Sequence, residues 1–448
     1  MQLPPYVYET LCALERAGFE AYVVGGCVRD SLLGLVPHDF DLCTDALPEQ
    51  ISAVFATKMV IPTGVQHGTV TVIAEGHPLE ITTYRTEIGY HDHRHPDTVQ
   101  FVSSIEQDLG RRDFTVNAMA YHPTRGLIDP FGGAADIKRR ILRAVGDPKT
   151  RFEEDALRML RALRFAATYG LEIEENTKKA LLTCAPLLTE IAAERVGAEL
   201  GQMLVGAHID TVIYDLYPVL FPILPELKAA QNVDQCSHYH HLDVLMHIVT
   251  AVACAEADPN VRLAALLHDI GKPYSFSLDD HGNGHFYGHA EIGERMARDI
   301  LCRLRFDNKT IEDVCLLIRY HDTTIERTDK AVRRWMNRLG VPLLRRLLAL
   351  KRADTMGHAV ELRDGRLQEL DDIVKRIDTL LAQQACFSLK DLAVNGSDLL
   401  ALGVSPGKAV GECLSWLLNE VMDERLENET GILSQAVRKR LDYFTEKR

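Results

Sequence analysis

Residues 24–45 read VGGCVRDSLLGLVPHDFDLCTD, and this stretch decides how the first third of the chain is read. Gly25 and Gly26 follow an apolar, strand-like run over residues 21–24. A glycine pair lets backbone N–H groups approach phosphate oxygens without a side chain in the way. Asp39 and Asp41 flank Phe40. In an extended segment, alternation places both carboxylates on one face and Phe40 and Leu42 on the other. Two hard oxygen ligands on a rigid face suit Mg2+, which carboxylates and substrate phosphates hold together. Strand, Gly-Gly, helix and Asp-x-Asp in this order predict a site for a nucleoside triphosphate and a metal. Arg29, at the start of the intervening helix, is placed to reach a triphosphate oxygen.

Working outward, residues 68–73 and 79–84 alternate as two strands of a hairpin around Glu75-Gly76-His77-Pro78. On the second strand Leu79 and Ile81 point one way and Glu80 and Thr82 the other. Glu80 is therefore a third carboxylate beside the Asp pair, able to bind or deprotonate an attacking hydroxyl. The stretch 86–98 is rich in His, Asp and Tyr, has no periodicity and reads as a mobile loop. After Gly146-Asp147-Pro148 the texture becomes amphipathic helix, over 152–169, 176–188 and 191–205. A turn at 279–284 and a break near Asn395-Gly396 punctuate the helical second half.

Within the first of these helices lies Glu154-Asp155-Ala156-Leu157-Arg158. On a helix Asp155 and Arg158 share a face at i and i+3, which alone is a routine ion pair. A base presented edge-on to both is a second reading. Cytosine and adenine each offer an amino donor beside a ring-nitrogen acceptor, matching an Asp acceptor next to an Arg donor. Uracil and guanine show a carbonyl beside a ring N–H, so both contacts fail. An unpaired buried polar group costs about 1–3 kcal/mol, so such a pair selects CTP and ATP.

The second half carries His247, Leu266-Leu267-His268-Asp269-Ile270-Gly271-Lys272-Pro273, then His289, His321 and Asp354. A His-Asp pair closing an apolar stretch is costly to bury without a ligand. Imidazole with carboxylate suits a transition metal, Mn2+, Ni2+, Fe2+ or Zn2+, with open positions for water and phosphate.

The 448 residues predict two to four domains. Every long apolar run is interrupted by charge before it could span a bilayer, and the start lacks a signal-peptide pattern. Ten cysteines stand as singletons without metal spacing, which predicts a reduced, cytoplasmic protein that contacts no membrane. A net charge of −14 argues against binding nucleic acid by general positive charge. It permits local basic tracks, and candidates lie at 138–143, 333–352 and 438–448.

Residues 24–45 resemble the nucleotidyltransferase head of the tRNA nucleotidyltransferase and poly(A) polymerase family, which is related to DNA polymerase β. The resemblance continues in Glu80-Ile81-Thr82-Thr83-Tyr84-Arg85, in Arg111-Arg112-Asp113-Phe114-Thr115-Val116-Asn117-Ala118, and in Arg151-Phe152-Glu153-Glu154-Asp155-Ala156-Leu157-Arg158. It implies an α+β fold: a polymerase-β-like head over 1–145, a helical neck over 146–230 and a helical body and tail over 361–448. It implies Asp39 and Asp41 as Mg2+ ligands with Glu80 assisting, and Asp113 and Asn117 around the ribose and triphosphate with Arg112 close by. It assigns base selection to Asp155 and Arg158. Residues 231–354 resemble an HD phosphohydrolase domain, placed at 231–360, with His247, His268, Asp269 and Asp354 as core ligands. His289 and His321 stand where two-metal variants add ligands.

The reading that follows is template-independent addition of CCA to tRNA from CTP and ATP, with a second, phosphohydrolase activity. The full-length 86–98 segment resembles members that add both C and A. Three alternatives stay open: a poly(A) polymerase of the same family, an HD phosphohydrolase whose head only binds nucleotide, and a non-catalytic tRNA-binding protein. The sequence leaves the oligomeric state open.

Overall fold

The computed structural model describes residues 1–89, 98–237 and 241–445. The chain divides into two compact units, 1–228 with 300–306, and 229–299 with the remainder from 307.

The first unit opens with α1 (Pro5–Arg16), β1 (Ala21–Val24), α2 (Gly26–Leu32), β2 (Asp41–Thr44) and α3 (Pro48–Val54). Then come β3 (Met59–Gly64), β4 (Thr69–Ala74), β5 (His77–Thr83), β6 (Arg85–Ile88) and β7 (Thr98–Phe101). After α4 (Ile105–Gly110) follow β8 (Ala120–His122), β9 (Gly126–Ile128) and α5 (Gly133–Arg139). Seven strands form one sheet in the order β3-β4-β5-β2-β1-β8-β9. β1 is buried along its whole length, as expected of an apolar run at the centre of a sheet. The expected hairpin is present: β4 and β5 pair antiparallel, Val70 opposite Ile81. Its turn uses Glu75 and Gly76 at φ 50° and 83°, the double left-handed geometry that matches strand twist. Leu79 and Ile81 are buried and Glu80 is exposed, as alternation requires.

The loop expected over 86–98 is corrected at both ends. β6 and β7 pair antiparallel from Arg85 opposite Phe101 to Ile88 opposite Thr98, so backbone pairing supplies an order that side-chain periodicity does not signal. Residues 90–97 of that segment lie outside the described residues.

Helices follow: α6 (Pro148–Glu154), α7 (Leu157–Tyr169), α8 (Glu175–Cys184), α9 (Ala193–Leu204), α10 (Ile209–Leu216) and α11 (Pro225–Ala229), with β10 (Ile141–Leu142) pairing β11 (Glu172–Ile173). The single helix expected over 152–169 is in fact two. Asp155 sits between them with extended dihedrals, φ −136° and ψ 101°. Its Oδ1 accepts the N–H of Leu157 at 3.1 Å, so the side chain takes a backbone donor at the start of α7 and competes with helix continuation.

The second unit is built on α12 (Val244–Cys254), α13 (Pro259–Leu267), the short strands β12 (Ser277–Leu278) and β13 (Gly284–His285), and α14 (His289–Arg303). It continues with α15 (Asn308–Tyr320), α16 (Asp329–Leu339), α17 (Val341–Met356) and α18 (Val360–Ala382). Asp243 and Asp258 cap α12 and α13 through backbone N–H groups. The turn expected at 279–284 joins β12 to β13. Beyond α18, α19 (Gly396–Ala401), α20 (Lys408–Met422) and α21 (Thr430–Lys439) share their own apolar cluster around Leu399, Leu417 and Leu433. Asn395 caps α19, at the break expected there. Among the described residues no helix is long and apolar enough to cross a membrane.

Candidate active sites

In the first unit β2 pairs with β5 in parallel, with Asp41 opposite Glu80. Phe40 and Leu42 are buried while Asp39, Asp41 and Glu80 are exposed, so the predicted division of faces holds. The Asp41 carboxyl is raised above its ordinary value, first by desolvation and then by Glu80 and Asp39, with Arg112 opposing. Mutual repulsion of this kind is what a divalent cation relieves. Hard carboxylate oxygens on a sheet face are therefore a donor set that fits Mg2+.

Gly25, at φ 75°, forms the turn into α2. Its N–H donates to Met119 O at 3.2 Å, and a Cβ there would stand 2.8 Å from Arg112 Nη1. Glycine at 25 thus admits the Arg112 guanidinium, while Gly26 starts the helix. Arg29 is buried rather than aimed into solvent. Its nitrogens reach Asn117 Oδ1 at 2.7 Å, the Tyr169 hydroxyl at 2.6 Å and Asp30 Oδ1 at 2.9 Å, and its guanidinium lies 4.4 Å from the Tyr169 ring centroid.

Asp113 and Asn117 belong to the same network. Asn117 Nδ2 donates to Asp113 Oδ1 at 3.0 Å, and Arg161 grips Asp113 Oδ2 with two N–H groups, at 2.9 and 2.7 Å. Burial alone would push the Asp113 carboxyl up, but Arg161 and Asn117 outweigh it and hold it down at about 2.

Asp155 and Arg158 do not share a helical face, because the chain breaks between α6 and α7. They are not an ion pair either. Arg158 bonds Glu154 Oε2 at 2.7 Å and the carbonyls of Arg151 and Arg111 at 3.1 and 3.0 Å. Asp155 Oδ2 lies 3.5 Å from Arg195. The routine ion-pair reading thus has no support here, and each side chain is positioned by its own partners.

In the second unit the structure brings all six predicted ligands together. His268 follows α13, His321 follows α15, His247 lies on α12, Asp354 on α17, and His289 begins α14. His268 Nε2 stands 3.2 Å from His247 Nε2 and 3.2 Å from Asp269 Oδ2. Asp354 Oδ1 lies 2.8 Å from His247 Nε2. Asp269 Oδ1 faces His289 and His321 at 3.6 and 3.5 Å. Ligand atoms of His247, His268 and Asp354, and of His268, Asp269 and His321, lie within 4.8 Å of one another in each set. The Nδ1 atoms of His268, His289 and His321 donate to the carbonyls of Ala265, Phe286 and Ile318 at 2.8, 2.8 and 2.6 Å. Such backing bonds fix the ring orientation and turn Nε2 inward, as in metal-bound histidine. Burial works to lower His268, but Asp269 and Asp354 outweigh it and raise it to about 10. The donor set fits a transition metal, and His268 belongs to both trios.

Sequence reasoning missed several participants. Lys272 Nζ sits 2.7 Å from Asp269 Oδ2 and 2.9 Å from Gln235 Oε1; its signal was the i+3 spacing from Asp269. His358 lies 3.6 Å from Asp354 Oδ1, four residues on, and Arg366 bonds its Nδ1 at 2.6 Å. Arg161 and Tyr169 carried no signal, since only tertiary packing brings them to Asp113 and Arg29.

Comparison with known proteins places these geometries in a family. The poly A polymerase head domain matches residues 21–143, the probable RNA and SrmB-binding site of polymerase A matches 170–231, and the putative tRNA nucleotidyltransferase domain 2 matches 285–437. The CCA-adding enzyme of Limosilactobacillus fermentum is 33% identical over 439 residues, 95% of this chain and 94% of that one. That of Latilactobacillus sakei is 34% identical over 433 residues, 95% of each. Among solved structures, the Bacillus stearothermophilus CCA-adding enzyme in complex with CTP superposes over 98% of this chain and 99% of that one, at TM-score 0.69 and 27% identity.

Proposed function

Because this chain belongs to the bacterial CCA-adding enzymes of the tRNA nucleotidyltransferase and poly(A) polymerase family, we propose that Asp39, Asp41 and Glu80 are its polymerising centre. The activity is nucleotidyl transfer that adds CCA to tRNA, and the family uses Mg2+. The poly(A), phosphohydrolase-only and binding-only alternatives give way to relatives of that activity along almost the whole chain. We assign CTP, ATP and tRNA as its substrates; a related structure contains CTP.

The observation that carries the site assignment is the register that sets Asp41 beside Glu80 on one open face of the sheet. Asp39 and Asp41 would hold Mg2+, which when bound neutralises charge at the α-phosphate. Glu80 would orient the tRNA 3′-hydroxyl and take its proton. The oxygen then bonds to the α-phosphorus as the bond to the pyrophosphate oxygen breaks. Arg112 stands beside the carboxylates, and the Arg29–Asn117–Asp113–Arg161 network holds the adjoining wall. Asp155 and Arg158 would present one acceptor and one donor edge to the incoming base. The test is a tRNA transcript lacking its 3′ end, incubated with each NTP singly and in pairs and read by sequencing gel. CTP alone should add C residues and CTP with ATP should complete CCA; incorporation of UTP or GTP, or long A tracts, would overturn the reading.

The His and Asp cluster supports a second activity, hydrolysis of phosphate esters, in a region of HD type within 231–360. Its geometric support is the convergence of His247, His268, Asp269, His289, His321 and Asp354, with three rings fixed from behind. These residues would hold Mn2+, Ni2+, Fe2+ or Zn2+, which lowers the pKa of bound water. In the reaction a water oxygen bonds to phosphorus, the bond to the ester oxygen breaks, and that oxygen takes a proton. Release of phosphate from small monoesters, or opening of 2′,3′-cyclic nucleotides, tested with each metal, decides it.

A further inference from the structure

Helix α7 carries two aromatic rings one turn apart, Phe165 and Tyr169, tilted 32° to each other with centroids 6.1 Å apart. Residues at i and i+4 share a helix face, and both rings meet Arg29 of α2. Its guanidinium lies 5.1 Å from the Phe165 centroid and 4.4 Å from that of Tyr169. Arg161 and Arg164 approach the buried Phe165 as well, at 5.1 and 4.4 Å. Phe165 is thus shared among guanidinium groups of its own helix and of α2. The half-buried Tyr169 adds a hydroxyl.

A guanidinium has five N–H donors, and those of Arg29 can be followed one by one. Nε donates to Asp30 Oδ1 at 2.9 Å, and Nη2 stands 2.8 Å from the same oxygen. Nη2 also donates to the Tyr169 hydroxyl at 2.6 Å, and Nη1 to Asn117 Oδ1 at 2.7 Å. These bonds take four donors and leave one, on Nη1. Burial raises the Tyr169 hydroxyl above its ordinary value, with Arg29 lowering it and Asp30 raising it, so the group is a neutral phenol. The residue is itself held. Arg140 Nη1 donates to the Tyr169 carbonyl at 2.9 Å, and Gly170, at φ 63°, ends the helix there. The Arg29 guanidinium lies beside the glycine pair, since a Cβ on Gly26 would stand 3.5 Å from its Nη2. Arg112 Nη1 takes the corresponding space beside Gly25.

A guanidinium is a rigid planar fork, so fixing Nη2 fixes the direction of every other N–H. We propose that Tyr169 is a positioning residue for nucleotidyl transfer: its hydroxyl locks the Arg29 guanidinium so that the remaining Nη1 donor meets the β- or γ-phosphate at the Gly25–Gly26 turn. This rests on reading Asp39, Asp41 and Glu80 as the polymerising centre, and it adds to that centre a residue that touches neither nucleotide nor metal. It also joins two parts of the site. The helix that begins beside Arg158 ends at Tyr169, so the base-selecting end and the triphosphate side share one rigid element.

The test uses full-length protein with Mg2+ and no tRNA, so nothing is transferred, and compares CTP with CMP by calorimetry. The two share base, ribose and α-phosphate, and only CTP offers β- and γ-phosphates to Arg29. Tyr169→Phe keeps the ring and drops the hydroxyl. It should weaken CTP roughly five-fold, the scale of one hydrogen bond, and leave CMP unchanged. Tyr169→Leu removes the ring as well and should weaken CTP about a further three-fold. Action through Arg29 predicts that Tyr169→Phe adds nothing in an Arg29→Gln background. With tRNA present, KM for CTP and for ATP should rise by the same factor, while kcat and discrimination against UTP and GTP hold. Wild-type CTP affinity in Tyr169→Phe, equal weakening of CTP and CMP, or an additive loss in the double variant overturns the proposal. Addition of C at the wild-type rate by Asp41→Ala would instead overturn the carboxylate centre alone, because the CTP–CMP comparison reads Arg29 without it.

Discussion

Asp39, Asp41 and Glu80 stand exposed on one face of a sheet, whereas His247, His268 and Asp269 are no more than 1% exposed. The first set is all oxygen and partly repels itself; the second mixes imidazole with carboxylate and is cross-linked by its own ion pairs. An open carboxylate face leaves most of a hard cation's coordination to substrate phosphates and water. A buried imidazole set with backing hydrogen bonds is largely complete before substrate arrives. Each arrangement predicts a different dependence on its ligands: the first needs the triphosphate to be whole, the second needs only metal.

The strongest way to break this contrast is to remove each centre separately. Asp39→Ala or Asp41→Ala should lower both C and A addition by roughly a hundred-fold or more, because one metal site serves both. Binding of tRNA, followed by filter retention, should survive. His268→Ala with Asp269→Ala should abolish ester hydrolysis and bound transition metal, while CCA addition continues near the wild-type rate. If the double variant stays folded yet loses CCA addition, the two centres are one machine and the comparison collapses.

The contrast also accounts for what could be read from residues alone. The head's carboxylates were legible because β periodicity of two assigns faces directly, and Asp41 and Glu80 needed only their strands to be right. The six residues of the cluster in the second unit were legible as residue types through family resemblance, since no local period links His247 to Asp354. Their Nδ1 anchors were not legible, because backbone carbonyls three residues upstream carry no sequence identity. The break at Asp155 was missed for a related reason. Helical spacing of apolar residues runs through both α6 and α7, and the competing bond to Leu157 N leaves no mark on that pattern. The network of Arg29, Asn117, Asp113 and Arg161 depends on elements far apart in the chain and is visible only in the fold.

A finer test separates base selection from chemistry within the head. Asp155→Ala should leave the metal-dependent step intact and relax discrimination of CTP and ATP against UTP and GTP by about 1–3 kcal/mol, one lost polar contact. Misincorporation ratios at matched tRNA concentration measure it. Arg158→Ala should do the same with an added loss of stability, since Glu154 and the Arg111 and Arg151 carbonyls lose a shared donor. Unchanged selectivity in both variants would return the two side chains to a purely structural role.

The smallest effect concerns how the head's wall answers to acid. Asp113 is held at about 2, below its ordinary 3.8, because Arg161 and Asn117 outweigh the burial that would raise it. A depressed carboxyl contributes stability that is present above the ordinary value and is lost as pH falls through the folded one. The window here is therefore about pH 4 down to about 2, and the contribution above it is on the order of 2 kcal/mol. Asp113→Asn keeps an acceptor for the Phe114 N–H but gives Arg161 no charge to meet, so it should lack that dependence. Hydrogen exchange of α7 amides, which carry Arg161, reads the local stability without averaging over the second unit. Wild type should be the more protected at pH 5, and the gap should close as pH approaches 2. A gap that stays constant across that range would mean that Arg161 holds Asp113 by shape alone and that the charge of the pair is immaterial to the wall it supports.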